Sequence, residues 1–219
     1  MPDMIRAGLV GITGYTGMEL ARLLATHPCM RLNMACSRAE AGRRLGEFYP
    51  FLERFSGSEV VITEYEPRRM ARECNVVFLA VPHGKSMEMA ADLVNEGTKV
   101  VDLSAVYGLP ELYAAEAAKT YLIANPGCYP TSAILGLYAA FKNDFIEAED
   151  IVIDAKSGTT GAGRKGVVPS LFCEVADTFR AYGLGKHRHT PEIEQEVSLL
   201  AGKPVTLSFN THLVPMNRG

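Results

Sequence analysis

Three residues in this chain could carry covalent chemistry. They are Cys128, within Asn125-Pro126-Gly127-Cys128-Tyr129-Pro130-Thr131, and the paired His187 and His189. A thiolate is a strong nucleophile, and a nearby histidine can stabilise it, then give and take protons as an intermediate forms and collapses. Pro126 and Gly127 mark a turn, and Pro130 suits the first position of a helix, where its missing N–H is no loss. Cys128 is therefore expected just before a helix start. Unpaired N–H groups and the helix dipole at such a place favour the thiolate and supply donors to an oxyanion formed beside it. If His187-Arg188-His189 is extended, the two rings point to opposite faces and one of them can meet Cys128. Blander assignments compete: a buried cysteine in a tight turn, and solvated histidines on a surface loop. Two histidines without carboxylates at ligand spacing make a weak metal site, and no metal is expected.

The elements ahead of Cys128 read as a nucleotide-binding fold. An apolar strand at Ile5–Val10 runs into Gly11-Ile12-Thr13-Gly14-Tyr15-Thr16-Gly17 and then an amphipathic helix, the first half of a βαβ unit. The glycine spacing is GxxGxxG. It can still let the backbone turn sharply and bring a pyrophosphate to the helix N-terminus, although a plain βα turn would look similar. A second strand over residues 31–36 ends in Ser37-Arg38, where an NAD site would carry Asp or Glu. A hydroxyl and a guanidinium suit a 2′-phosphate, so the expected cofactor is NADP(H). Residues 42–55 read as a loop with aromatic contacts. The apolar strand over residues 75–81 ends in Pro82-His83-Gly84 before a helix over 86–95. Open α/β sheets bind ligands beyond the carboxyl ends of their strands, so Pro82 and His83 are expected to line the cofactor. Another strand follows at residues 99–103.

Beyond Cys128 the pattern changes. Strands over 150–155 and 205–214 flank a glycine-rich stretch at 156–165 and a helix over 191–201, which predicts a mixed or antiparallel sheet. The expected architecture is an α/β Rossmann-type NADP-binding domain over residues 1–127, then an α+β substrate and dimerisation domain over 128–219, incomplete at its C-terminus. The glycine-rich stretch could offer N–H groups and Arg164 or Lys165 to an anion, or form a flexible subunit contact.

Composition excludes several function classes. The net charge of −3 over 219 residues argues against a nucleic-acid or anionic-membrane surface. No apolar run approaches a membrane span, and the first residues lack a signal peptide's apolar core. Five unclustered cysteines fit a reducing cytoplasm better than a disulfide framework. An NADP domain joined to a Cys–His site suits thioester chemistry: a thiolate displaces phosphate from an acyl phosphate, and hydride reduces the thioester to an aldehyde. A thiol hydrolase would not need the first domain, and a non-catalytic nucleotide sensor would not need Cys128.

Motifs in order along the whole chain resemble those of the N-acetyl-γ-glutamyl-phosphate reductase family, which is related to the aspartate-semialdehyde dehydrogenases. They are Val10 to Gly17, Ser37-Arg38, Phe78 to Gly84, Val101-Asp102-Leu103-Ser104-Ala105, Tyr107-Gly108-Leu109-Pro110, Asn125 to Thr131, Lys156-Ser157-Gly158, His187 to Ile193, and His212-Leu213-Val214-Pro215-Met216-Asn217-Arg218-Gly219. The resemblance implies NADPH-dependent reduction of N-acetylglutamyl phosphate to N-acetylglutamate semialdehyde and phosphate in arginine biosynthesis. Reduction of a carrier-bound aminoadipyl phosphate in lysine biosynthesis is the alternative. The resemblance also implies Cys128 as nucleophile, with His187 and His189 serving the acyl phosphate and His189 favoured as the base. Gly11, Thr13, Gly14, Tyr15, Thr16, Gly17, Ser37, Arg38, Pro82, His83, Ser157 and Gly158 would hold the cofactor, in a homodimer or homotetramer. Two departures stand out. The family's Asp-Phe-Arg segment is missing where Ala105 joins Val106, and its arginine is a candidate contact to the substrate carboxylate. Members also continue past the segment matching Gly219, so the chain is expected to be part of a longer protein.

Overall fold

The structure, a computed structural model, describes residues 4–81, 83–102 and 106–217. The chain forms two compact units, Met1–Asn125 and Pro126–Gly219.

The first unit runs β1 (Ile5–Val10), α1 (Tyr15–Ala25), β2 (Met30–Cys36), α2 (Leu45–Phe48), β3 (Ile62–Thr63), α3 (Pro67–Glu73), β4 (Val76–Leu79), α4 (His83–Asn95), β5 (Lys99–Asp102), β6 (Val106–Tyr107), α5 (Pro110–Lys119) and β7 (Leu122–Ala124). Its strands form one parallel sheet in the order β3-β2-β1-β4-β5-β7-β6. Successive side chains of a strand face opposite sides, so β1 feeds two cores. Ala7 and Leu9 join Ala21 and Leu24 of α1 on one side, while Val10 joins Met70, Ala90 and Leu93 on the other. Burial on both faces is why the central strands read as unbroken apolar runs. Residues 42–55, expected as a loop, contain α2 and a 3₁₀ turn, Pro50–Leu52, with Leu45, Tyr49 and Leu52 packed into the α1-side core. These helices are four and three residues long, shorter than the window over which helical periodicity can be read, which hid them.

The second unit runs α6 (Cys128–Lys142), β8 (Val152–Gly158), α7 (Phe172–Val175), β9 (Arg180–Tyr182), α8 (Thr190–Ala201) and β10 (Ser208–Val214). Its sheet is mixed as expected: β10 lies between β8, to which it is parallel, and β9, to which it is antiparallel. Helices α6 and α8 pack on one face through Tyr129, Ala133, Ile193 and Val197 against Phe209 and neighbours. The glycine-rich stretch is more ordered than expected. Lys156, Ser157 and Gly158 end β8, and Thr159–Ala162 form a 3₁₀ turn tied down by Thr159 N–H donating to Met216 O at 2.8 Å. No helix among the described residues is long and apolar enough to cross a membrane.

Candidate functional site

Cys128 is the first residue of α6. Gly127 is the N-cap, and its carbonyl accepts the first helical bond from Thr131 N–H at 3.0 Å, with Thr131 Oγ1 donating to it at 2.9 Å. Pro130 is therefore the third helical residue, not the first. The shift is harmless, because none of the first-turn N–H groups has an intrahelical acceptor. It leaves the N–H groups of Cys128 and Tyr129 as the donors of that turn, with no acidic side chain beside them. The Cys128 residue is exposed, so the buried-packing assignment does not describe it.

His187-Arg188-His189 is a turn, not an extended strand, and the expected opposition of the two rings is lost. His189 has helical backbone angles and caps α8, its carbonyl accepting Ile193 N–H at 3.0 Å. Packing of α6 against α8 in their shared core brings the two helix starts together. His189 lies so close to the Cys128 turn that a Cβ on Gly127 would stand 2.8 Å from its Cε1 and Nε2. Only glycine leaves room for that approach. The His187 ring lies 5.0 Å from the His189 ring, and its Nδ1 accepts the His189 backbone N–H at 3.2 Å. An Nδ1 that accepts cannot carry a proton, so neutral His187 holds its hydrogen on Nε2. Burial, reinforced by the charge of Arg188, holds His187 below the usual histidine range. Tyr129 packs edge-on against both rings, and its hydroxyl lies 2.9 Å from the Tyr182 hydroxyl. Burial and the Tyr182 partnership push the Tyr129 phenol well up, so it stays a neutral donor.

A cavity of about 350 Å³ joins these groups. Cys128, His187 and His189 line it, together with Ser157 and Gly158, Arg180, Tyr182 and Arg188. The sequence reading had not singled out Tyr129, Tyr182, Arg180 or Arg188 for the site. Arg188, set between two histidines, was the one with a visible signal.

The glycine turn belongs to the first unit. Gly11 has φ of +89°, and Gly17 sits so close to the Gly11 carbonyl that a Cβ there would stand 2.3 Å from it. These two glycines shape the turn and seat α1 against β1. Gly14 caps α1, and a Cβ there would meet only the Gly11 carbonyl, at 3.6 Å, so the space above the helix start is open. Thr13, Tyr15 and Thr16 border that space without a carboxylate in the first turn. Tyr49 supports the turn from the segment read as a loop, its hydroxyl donating to Ile12 O at 2.9 Å. Ser37 follows β2, pinned by its N–H to Thr63 O at 3.0 Å, and Arg38 beside it is exposed. Among the described residues Arg38 has no ion pair, whereas Glu40 is held by Arg43 at 2.7 Å. His83 opens α4 at the carboxyl end of β4, and Pro82 lies outside the described residues, as does Ala105 at the shortened junction. Among the described residues no three His, Cys, Asp or Glu side chains group as a metal site.

Residues 6–145 match the model of the semialdehyde dehydrogenase NAD-binding domain, and residues 128–219 match that of the semialdehyde dehydrogenase dimerisation domain. An N-acetyl-gamma-glutamyl-phosphate reductase of Citrifermentans bemidjiense is 44% identical, across 99% of this chain and 70% of the relative. One from Desulforamulus reducens is 41% identical over the same shares. Each of these two alignments spans 243 positions, 24 more than the chain's 219 residues, so the relatives carry residues within that span that this chain lacks. Among solved structures, aspartate semialdehyde dehydrogenase II of Vibrio cholerae superposes with a TM-score of 0.71 at 14% identity, covering 98% of this chain and 71% of that one. The aspartate semialdehyde dehydrogenase of Candida albicans, solved with NADP, gives 0.68 at 16% over 98% and 68%. At that identity the structures speak to the fold alone.

Proposed function

Because this chain belongs to the semialdehyde dehydrogenase family, we propose that it reduces N-acetylglutamyl phosphate to N-acetylglutamate semialdehyde and phosphate with NADPH, a step of arginine biosynthesis. The observation that carries the reading is the convergence of two helix starts, with the His189 ring against Gly127 next to the Cys128 thiol.

The chemistry follows from the groups in the cavity. His189 takes the Cys128 proton, and Sγ attacks the acyl carbon. The N–H groups of Cys128 and Tyr129 receive the negative charge that builds on the acyl oxygen. Collapse breaks the carbon–oxygen bond to phosphate and leaves an acyl thioester on Cys128. NADPH, when bound, supplies the hydride that takes the thioester to a thiohemiacetal. His189 gives the proton it took from Cys128 to the oxygen as the thiohemiacetal forms, then takes it back from the hydroxyl as the carbon–sulfur bond breaks, releasing aldehyde and thiolate. His187 stays neutral, and its bond to the His189 N–H holds the turn. The two rings thus have different work, His189 moving protons and His187 fixing where they are moved.

For the cofactor, the open space above Gly14, the acid-free start of α1 and the exposed Arg38, which has no ion pair among the described residues, suit a pyrophosphate and a 2′-phosphate. Thr13, Tyr15, Thr16 and Ser37 are the neighbouring polar contacts, with Pro82 and His83 assigned to the nicotinamide side. Ser157 and Gly158, which line the cysteine's cavity, are assigned to the acyl group and, as the resemblance implies, to the cofactor. A working thiol and NADPH both belong in a reducing cytoplasm. The second unit is assigned to self-association as a homodimer or homotetramer, which its match to a dimerisation domain supports. The test runs the reaction backwards, with N-acetylglutamate semialdehyde, phosphate and NADP⁺. NADPH formation beyond one equivalent per chain should require phosphate, and all of it should vanish in Cys128→Ser. Continued NADPH formation without phosphate, past that first equivalent, would refute the reading.

A further inference from the structure

The cavity around Cys128 is lined by two guanidinium groups and, among the described residues, by no carboxylate. A substrate of the class assigned above is anionic at both ends: a phosphate on the reacting carbon and a carboxylate four carbon–carbon bonds away. Within that reading, we propose that Arg180 recognises the remote carboxylate and Arg188 the phosphate.

The two arginines are held differently. Arg188 stands between the two histidines and lines the cavity with them and Cys128, so it serves the reacting end, where phosphate leaves. Arg180 is half-buried on β9, paired across the sheet with Leu213 of β10, which also lines the cavity. One of its terminal amino groups donates to Pro169 O at 2.8 Å. That bond fixes the planar fork and leaves four of its five N–H donors for a ligand, the arrangement that favours bidentate carboxylate recognition. Two residues on, Tyr182 points to the same side of the strand and meets Tyr129, the neighbour of Cys128, hydroxyl to hydroxyl at 2.9 Å. Arg180 is therefore about 6–7 Å further along the strand than the tyrosine that reaches the nucleophile's helix. This is the direction in which the far end of an extended substrate would lie. The assignment bears on the family's missing Asp-Phe-Arg segment, since a second arginine could then supply the carboxylate contact.

Direct binding tests this without turnover. The whole chain carrying Cys128→Ser is titrated calorimetrically with N-acetylglutamate semialdehyde, with its α-carboxamide, and with inorganic phosphate. The parent should bind the carboxylate form about 10- to 100-fold more tightly than the amide, as charge-assisted bonds require. Arg180→Met should erase that preference while leaving phosphate affinity unchanged. Arg180→Lys, which keeps the charge but loses the fork, should retain part of the preference and shows that the fold survives. Arg188→Met should weaken phosphate and leave the preference intact. If Arg180→Met still discriminates carboxylate from amide, or Arg188→Met leaves phosphate affinity unchanged, the assignment is wrong although the reductase reading stands. If the parent binds neither aldehyde, the reductase reading falls with it.

Discussion

Replacing Gly127 by alanine isolates the geometry of the Cys128–His189 pair from its chemistry. Gly127 has φ of −65° and ψ of 166°, which any residue adopts, so the backbone gains no strain. The added methyl would stand 2.8 Å from two atoms of the His189 ring, against about 3.4 Å for an ordinary contact. The ring or the turn must therefore give by about 0.6 Å. Proton transfer by a placed side chain contributes about 10²- to 10⁴-fold, and a displacement near 1 Å can cost about 10²-fold. We expect kcat in the reverse assay to fall about 10- to 100-fold. Folding should suffer little: a clash of this kind and the poorer cap together cost about 1–2 kcal/mol. In a chain of this size that is a Tm loss of roughly 2–8 °C. Circular dichroism melts and steady-state kinetics on the same preparations separate the two effects. A variant with kcat within twofold of the parent would refute the claim that His189 works from that position. A variant that does not fold would refute the claim that the glycine serves the ring alone.

Two further outcomes follow from the same geometry. Arg38→Ala should raise KM for NADPH about 10- to 100-fold and leave KM for NADH nearly unchanged, because only the 2′-phosphate is lost as a partner; equal effects on both cofactors would remove Arg38 from that role. His187 is held below its unfolded value of 6.5 by burial and Arg188. The unfolded chain therefore takes up the proton first. Its contribution to stability is full above pH 6.5 and is lost as pH falls toward the lower folded value. Tm should decline across that window. His187→Asn, which keeps an acceptor near the Nδ1 position, should flatten that part of the profile; an unchanged slope would show that another group controls it.

The parallel core of the first unit was legible because its central strands are buried on both faces and read as apolar runs, whereas β3, β6 and β7, of two or three residues each, are too short to show one and were not anticipated. The glycine turn was legible because Gly11 and Gly17 are demanded by close backbone approach. What was hidden depended on tertiary context. Whether His187 and His189 share a face turns on the backbone between them, and the turn that gathers them is set by the packing of α8 on α6, not by local sequence. Tyr129 and Tyr182 looked like ordinary aromatics because their hydroxyl contact joins residues 53 apart in the chain. Arg180 gave no signal for the same reason: its strand is three residues long, and only its pairing with β10 brings it to the cavity.

The most direct test of Cys128 as the covalent centre is intact-protein and peptide mass analysis after mixing the chain with N-acetylglutamate semialdehyde and NADP⁺ in the absence of phosphate. The thioester should accumulate as one N-acetylglutamyl group on the peptide containing Cys128, with one equivalent of NADPH formed, and added phosphate should discharge it. NADPH formation with Cys128 unmodified, or the same adduct in Cys128→Ser, would contradict the account.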